Sequence, residues 1–285
     1  MTTLAPSEGG EALVLARTTV EGIPDCVVFP HEQSRGMRVA TLLASAALGV
    51  GVAAIGSRHP GAEPLGIGLL LGLTFMGGLL STWSPCGYSS LCLLRPSGNY
   101  SPRSLLRYTP TVLLHGLGYA AGAVVLGGAL GFAGSMAGFA GASLAAAIGL
   151  GLVALLYGAH QLGFVKVPYP QRRAQVPHDA RQRFPKWFIG GLYGFSLGLN
   201  YLTYVQTPIL YLVTAAAVLS GYVVTAIALF AVFNAGRFLP ILVNYLPVRD
   251  IDVQNWLARR QEGAALLDGA LLVAFGAALL TLATL

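Results

Sequence analysis

Along the chain, long apolar runs alternate with short polar connectors, many of them basic, and the length of the runs decides what they can become. Windows of about 20 apolar residues, enough to cross roughly 30 Å of hydrocarbon as a helix, lie at 39–56, 65–94, 109–132, 139–165, 187–218, 221–246 and 264–284. The pattern predicts an all-α polytopic membrane protein with seven transmembrane helices. The second and fifth runs are too long for straight spans, which predicts tilted or interrupted helices there.

The basic connectors fix an orientation, because Lys and Arg are retained on the cytoplasmic side of short loops. Arg35 and Arg38 precede the first helix; Arg95, Arg103 and Arg107 follow the second. Six cations between Lys166 and Lys186 follow the fourth, and Arg249, Arg259 and Arg260 follow the sixth. The alternate loops, 57–64, 133–138 and 219–221, carry only Arg58. This places the amino terminus inside and the carboxy terminus outside. The implied segments are a cytoplasmic tail (1–38), a leading helix (39–57), a three-helix half (64–165), a basic loop (166–186) and a second three-helix half (187–285). The first 38 residues lack the succession of basic, apolar and small residues of a cleaved leader, so they are expected to stay as a tail.

Composition agrees and excludes other classes. Hydrophobic residues make up 55% of the chain and charged residues 10%; the mean hydropathy is +0.67. No soluble globular domain has that balance. The net charge of +6 resides in short loops beside apolar runs, so it reports topology and lipid contact, not a nucleic-acid partner. Cys26, Cys86 and Cys92 have no zinc spacing and form no disulfide framework; no metal and no cofactor is expected.

Candidate chemistry gathers where two runs are broken. The first break is Ser84-Pro85-Cys86-Gly87-Tyr88, with Cys92 further on; the second spans Asn200, Tyr204, Gln206, Thr207 and Pro208. A proline inside a helix removes a backbone donor and costs about 3 kcal/mol. In hydrocarbon the freed groups need partners from protein or from a lined cavity, so each break is a candidate site. The halves 64–165 and 187–285 hold three helices each and must lie upside down relative to one another. Paired breaks in such inverted repeats point to one midplane site between them.

Gly78-Leu79-Leu80-Ser81-Thr82-Trp83-Ser84-Pro85-Cys86 resembles the first redox motif of the CcdA/DsbD-like membrane family, and the stretches 149–163 and 190–215 resemble two of its helices. The resemblance covers 65–285 and leaves the first helix as an addition. It implies an inverted 3+3 core that passes reducing equivalents from cytoplasmic thioredoxin to extracytoplasmic thiols through one cysteine in each half. The leading helix and the Ser-Pro-Cys-Gly-Tyr-Ser-Ser-Leu-Cys variant resemble a methylamine-utilization branch. That implies a bacterial inner-membrane protein whose partners are the periplasmic, disulfide-rich methylamine dehydrogenase small subunit and other membrane or thioredoxin-like maturation proteins.

One departure changes the chemistry: Val205 stands where the family's second motif has its cysteine, and no cysteine follows Cys92. Thiol exchange needs an attacking thiolate and a resolving partner. In a regular helix residues six apart are separated by about 9 Å along the axis and lie roughly 240° apart, whereas a disulfide needs Cα atoms within about 7 Å. A straight helix forbids a Cys86–Cys92 bond; unwinding at 85–87 permits it. A Cys86–Cys92 couple, a mixed disulfide of Cys86 and inert thiols all remain open. So do three roles: a thiol-disulfide relay, a transporter or permease, and a non-redox assembly partner.

Two charges fall inside spans, Arg237 and Asp268, and intramembrane charges are functional-site hypotheses by default. They could pair, or Arg237 could snorkel to the interface. His115 and His160 read as hydrogen-bonded packing residues.

Overall fold

A computed structural model describes residues 33–58, 63–84, 87, 91, 94–96, 100–139, 141, 143–168 and 183–285. The described residues form helices and no strand. They are α1 (Arg35–Gly56), α2 (Glu63–Leu80), α3 (Pro102–Met136), α4 (Leu144–Gln161), α5 (Lys186–Gly198), α6 (Ile209–Ser220), α7 (Val223–Phe238) and α8 (Asp250–Thr284). Short 3₁₀ turns extend two of them, Ser81–Trp83 after α2 and Leu239–Tyr245 after α7. Six helical stretches are long and apolar enough to cross a membrane, which makes this a membrane protein; α5 and α6 are too short to do so singly.

Local sequence explains three of the helix starts. Ser34 and Ser143 cap α1 and α4 by accepting from Met37 N and Ala146 N. At α3, Ser101 and Ser104 form a reciprocal capping box with Pro102 in the first turn. The helix therefore starts at Pro102, seven residues before the apolar run at 109–132. A larger difference concerns the seventh helix, which begins at Asp250 and not near 264. Its first turns are polar, so a hydropathy window passes over them, yet Leu257 is buried and Val253 packs beside it against the core.

Glycines set the packing, because they let backbones touch where no hydrophobic force separates helix from lipid. Gly190, Gly194 and Gly198 of α5 meet Thr111, His115 and Tyr119 of α3 in that order, so α3 and α5 run parallel. Gly116, Gly127 and Gly131 of α3 meet Phe238, Ile227 and Val223, so α7 runs antiparallel to α3. Gly151 and Gly158 of α4 meet Gly276 and Gly269 of α8, again antiparallel. α1 lies parallel to α8, with Gln33 N donating to Glu262 Oε1 (2.7 Å) at one end and Gly49 against Ala274 further along. A core of α6, α7 and α8 side chains, including Leu212, Phe230, Phe233 and Leu272, fills the centre.

Candidate functional site at the two helix breaks

α5 ends at Gly198, and the chain runs irregularly through 199–208 before Pro208 opens α6. Ending a helix inside a membrane protein leaves carbonyls without donors. Three side chains supply them. Asn200 Nδ2 and Asn234 Nδ2 both donate to Gly198 O (2.9 and 3.0 Å), and Arg237 Nη1 donates to Leu197 O (3.0 Å). The same groups bond to one another: Arg237 Nη1 to Asn200 Oδ1 (2.9 Å) and Asn200 Nδ2 to Asn234 Oδ1 (3.0 Å). Asn234 Nδ2 also reaches Tyr119 O on α3 (3.0 Å). Asn200 holds a left-handed backbone, φ 54°, a conformation Asn tolerates better than most residues. The guanidinium sits at the carbonyl end of α5, where the helix dipole favours a cation.

The first break is treated in the same way. After α2 the chain tightens into Ser81–Trp83, and Ser84 turns extended at φ −72°, ψ 149°. Asn244 Nδ2 donates to Leu91 O (2.9 Å) and to Tyr108 Oη (3.0 Å). Trp83 Nε1 donates to Leu257 O (3.0 Å), while its ring lies 5.6 Å from that of Trp256. Asn234, Arg237 and Asn244 recur at near-helical intervals along α7 and its 3₁₀ extension. One polar face of one element thus serves both breaks.

The two breaks touch. Gln206 N donates to Ser84 Oγ at 2.7 Å, and Ser84 is fully buried. One residue on, Thr207 Oγ1 donates to Asp268 Oδ1 at 2.7 Å and accepts from Ile209 N. Asp268 is 2% exposed, and its Oδ2 has no hydrogen-bond partner among the described residues. Beside it lies a cavity of about 10 Å³, the size of one water, lined by Gln161, Gln206 and Gln261 among others.

Full-length relatives accompany this geometry. The chain is 66% identical to methylamine utilization protein MauF of Methylorubrum extorquens over the whole of both chains. It is 58% identical to MauF of Paracoccus versutus, across 94% of this chain and 96% of that one. MauF of Methylobacillus flagellatus is 53% identical across 95% of each. The chain belongs to the MauF family. No family model and no solved structure matches it.

In this MauF-family chain the expected site residues separate into groups. Ser84 and Gln206 come together, Asn200 joins Arg237, and Thr207 joins Asp268. Gly87 packs on the Ser81–Trp83 turn, where a Cβ would press on Thr82. Tyr204 is half-buried, Pro208 is buried at the start of α6, and Val205 is 0% exposed. Pro85, Cys86, Tyr88 and Cys92 lie outside the described residues, as does Cys26.

Arg237 and Asp268 do not pair, which corrects one expectation: each bonds to a different part of the second break. Nor does Arg237 snorkel, since it is 4% exposed and engages Leu197 and Asn200. The terminal carbonyls of α5 hold it inside the helix bundle. His115 is buried, with Nδ1 2.9 Å from Gly190 O and its ring edge-on to Tyr119, and His160 Nδ1 accepts from Val167 N. Asn234 and Asn244 escaped the sequence reading. Their signal was present, an amide three residues before Arg237 and another seven after it on the same face.

Proposed function

We propose that this MauF-family chain serves methylamine utilization as a seven-span inner-membrane protein. Its role is maturation of the disulfide-rich periplasmic methylamine dehydrogenase small subunit, through thiol handling at Cys86 or through assembly. The seventh span is counted by joining α5 and α6 into one broken crossing. The halves 64–165 and 187–285 form a CcdA/DsbD-like inverted repeat behind the leading helix 39–57, with the tail 1–38 and the basic loop 166–186 inside. Supporting the inversion, the middle helices of the two halves, α3 and α7, lie side by side and antiparallel. The observation that carries a shared site is the bond from Gln206 N to Ser84 Oγ, two residues before Cys86. Interrupted helices that meet at depth are what a midplane site requires.

On the thiol reading, the Cys86 thiolate attacks a sulfur of a client disulfide. A mixed disulfide forms, the other client sulfur leaves as a thiolate, and a second thiol, from Cys92 or a partner protein, then resolves it. The Cys86→Ser variant keeps the volume but is a far poorer nucleophile. Assembled dehydrogenase and the free-thiol content of its small subunit are the readouts. Loss of maturation with normal membrane insertion is expected, and Cys92→Ser distinguishes the resolving thiol: equal loss assigns Cys92, full activity a partner. Normal maturation by Cys86→Ser rejects thiol handling. A non-redox reading, assembly partner or transporter, then takes its place, and one observation already favours a non-redox role: the position where the family's second motif has cysteine is Val205, fully buried in the core.

A further inference from the structure

We propose that the basic cleft between the starts of α3 and α5 binds a phosphate-bearing ligand of net negative charge. Because α3 and α5 run parallel, their first turns lie at the same end of the bundle. There they flank a cavity of about 310 Å³ whose lining includes Arg103, Arg107 and Lys186, with buried Tyr108 and Thr111 beneath. Among the described residues no carboxylate lines it, and neither helix carries an acidic residue in its first turn.

That arrangement inverts the usual order. The start of a helix carries partial positive charge and is ordinarily compensated by Asp or Glu. Here three cations are added to two such ends, a combination that favours an anion between them. A tetrahedral phosphate suits the donors available, because guanidinium groups bind its oxygens in pairs. The walls of the cavity are anchored: Lys186 Nζ donates to Arg95 O (3.1 Å), and Arg95 in turn donates to Tyr100 Oη (2.9 Å) and Val248 O. Ser101 and Ser104 lock the first turn of α3.

Neighbouring residues set the level of the site. Phe184, Trp187 and Phe188 are all exposed at the start of α5, and Leu106, between the two arginines in sequence, is 72% exposed. Exposed aromatics beside cations are the pattern of a membrane–water boundary. Basic clefts between helix ends at that level hold phospholipid headgroups. The phosphate therefore comes from an anionic lipid such as phosphatidylglycerol or from free phosphate in solution, and the experiment separates the two.

The intact protein, stripped of lipid in detergent, is titrated with phosphatidylglycerol, phosphatidylcholine or inorganic phosphate, and occupancy is followed by native mass spectrometry. Phosphatidylglycerol is expected to bind ahead of phosphatidylcholine. Arg103→Gln with Arg107→Gln is expected to weaken it about thirtyfold, a factor of roughly five for each cation near a membrane surface. Arg103→Lys with Arg107→Lys should keep most of the binding and guards against misfolding. Arg259→Gln with Arg260→Gln removes the same charge at a separate cavity, which Asp252 also lines, and should change little. Displacement of the lipid by millimolar phosphate, with the same variant pattern, assigns the free anion as the source. Equal losses in the two glutamine variants, or no preference for phosphatidylglycerol or inorganic phosphate over zwitterionic phosphatidylcholine, overturns the site.

Discussion

Asn200 joins a strained backbone to a buried hydrogen-bond network, and two substitutions there separate the contributions. Its side chain makes three bonds: to Gly198 O, to Asn234 Oδ1 and from Arg237 Nη1. Hydrogen bonds between membrane helices contribute about 0.6 kcal/mol each on average, and at most about 1.7. A bond to a charged group lies at the upper end, about 1.5 kcal/mol or more. Asn200→Gly deletes all three while tolerating φ 54°, so the expected loss is about 3 kcal/mol. Asn200→Ala deletes the same bonds and adds the left-handed cost of a Cβ, about 1–2 kcal/mol, partly offset by the backbone entropy glycine loses on folding. Alanine should therefore be the worse of the two by about 1 kcal/mol. Titration of the purified protein from mixed micelles into SDS, followed by tryptophan fluorescence, measures both. A double-mutant cycle with Asn234→Ala should leave a coupling of about 0.6–1.7 kcal/mol. Equal stability for glycine, alanine and the parent, or strict additivity in the cycle, would refute the argument that this network repairs the end of α5.

Two other expectations concern packing and orientation. Gly194→Val places a branched side chain where even a Cβ overlaps the His115 carbonyl; separation of α3 from α5 should cost several kcal/mol, whereas Gly149→Val, with open space at its Cβ, should fall within about 1 kcal/mol in the same assay. Reporter fusions at position 175 should read as cytoplasmic and at 285 as extracytoplasmic; the reverse at either position discards the inside-to-outside scheme drawn from the basic loops.

Much of this architecture was legible in the chain because bilayer thickness is a hard length scale. Runs of about 20 apolar residues must become helices, and a proline deep inside such a run marks a candidate interruption, although Pro110, near the start of its run, stays within α3. Pro85 and Pro208 point to the two interrupted runs, although the helices end earlier, at Leu80 and Gly198. Less visible were the helix starts at Pro102 and Asp250, since helix formation in polar residues depends on caps and on one buried face, not on mean hydropathy.

The partners that mend each break could not be read from local sequence. Asn234, Arg237 and Asn244 are distant in the chain from Leu197, Gly198 and Leu91, the carbonyls they satisfy. Periodicity shows that the three share a face, but only the crossing of α7 with its neighbours says what that face meets. The separation of Arg237 from Asp268 has the same origin. Opposite charges on adjacent spans suggest a pair, yet an unpaired helix end offers the guanidinium carbonyls at closer range, and Thr207 takes the carboxylate. The sequence determined where the backbone had to break; the tertiary structure decided which side chains fill its open hydrogen bonds, because that depends on which helices approach at those depths.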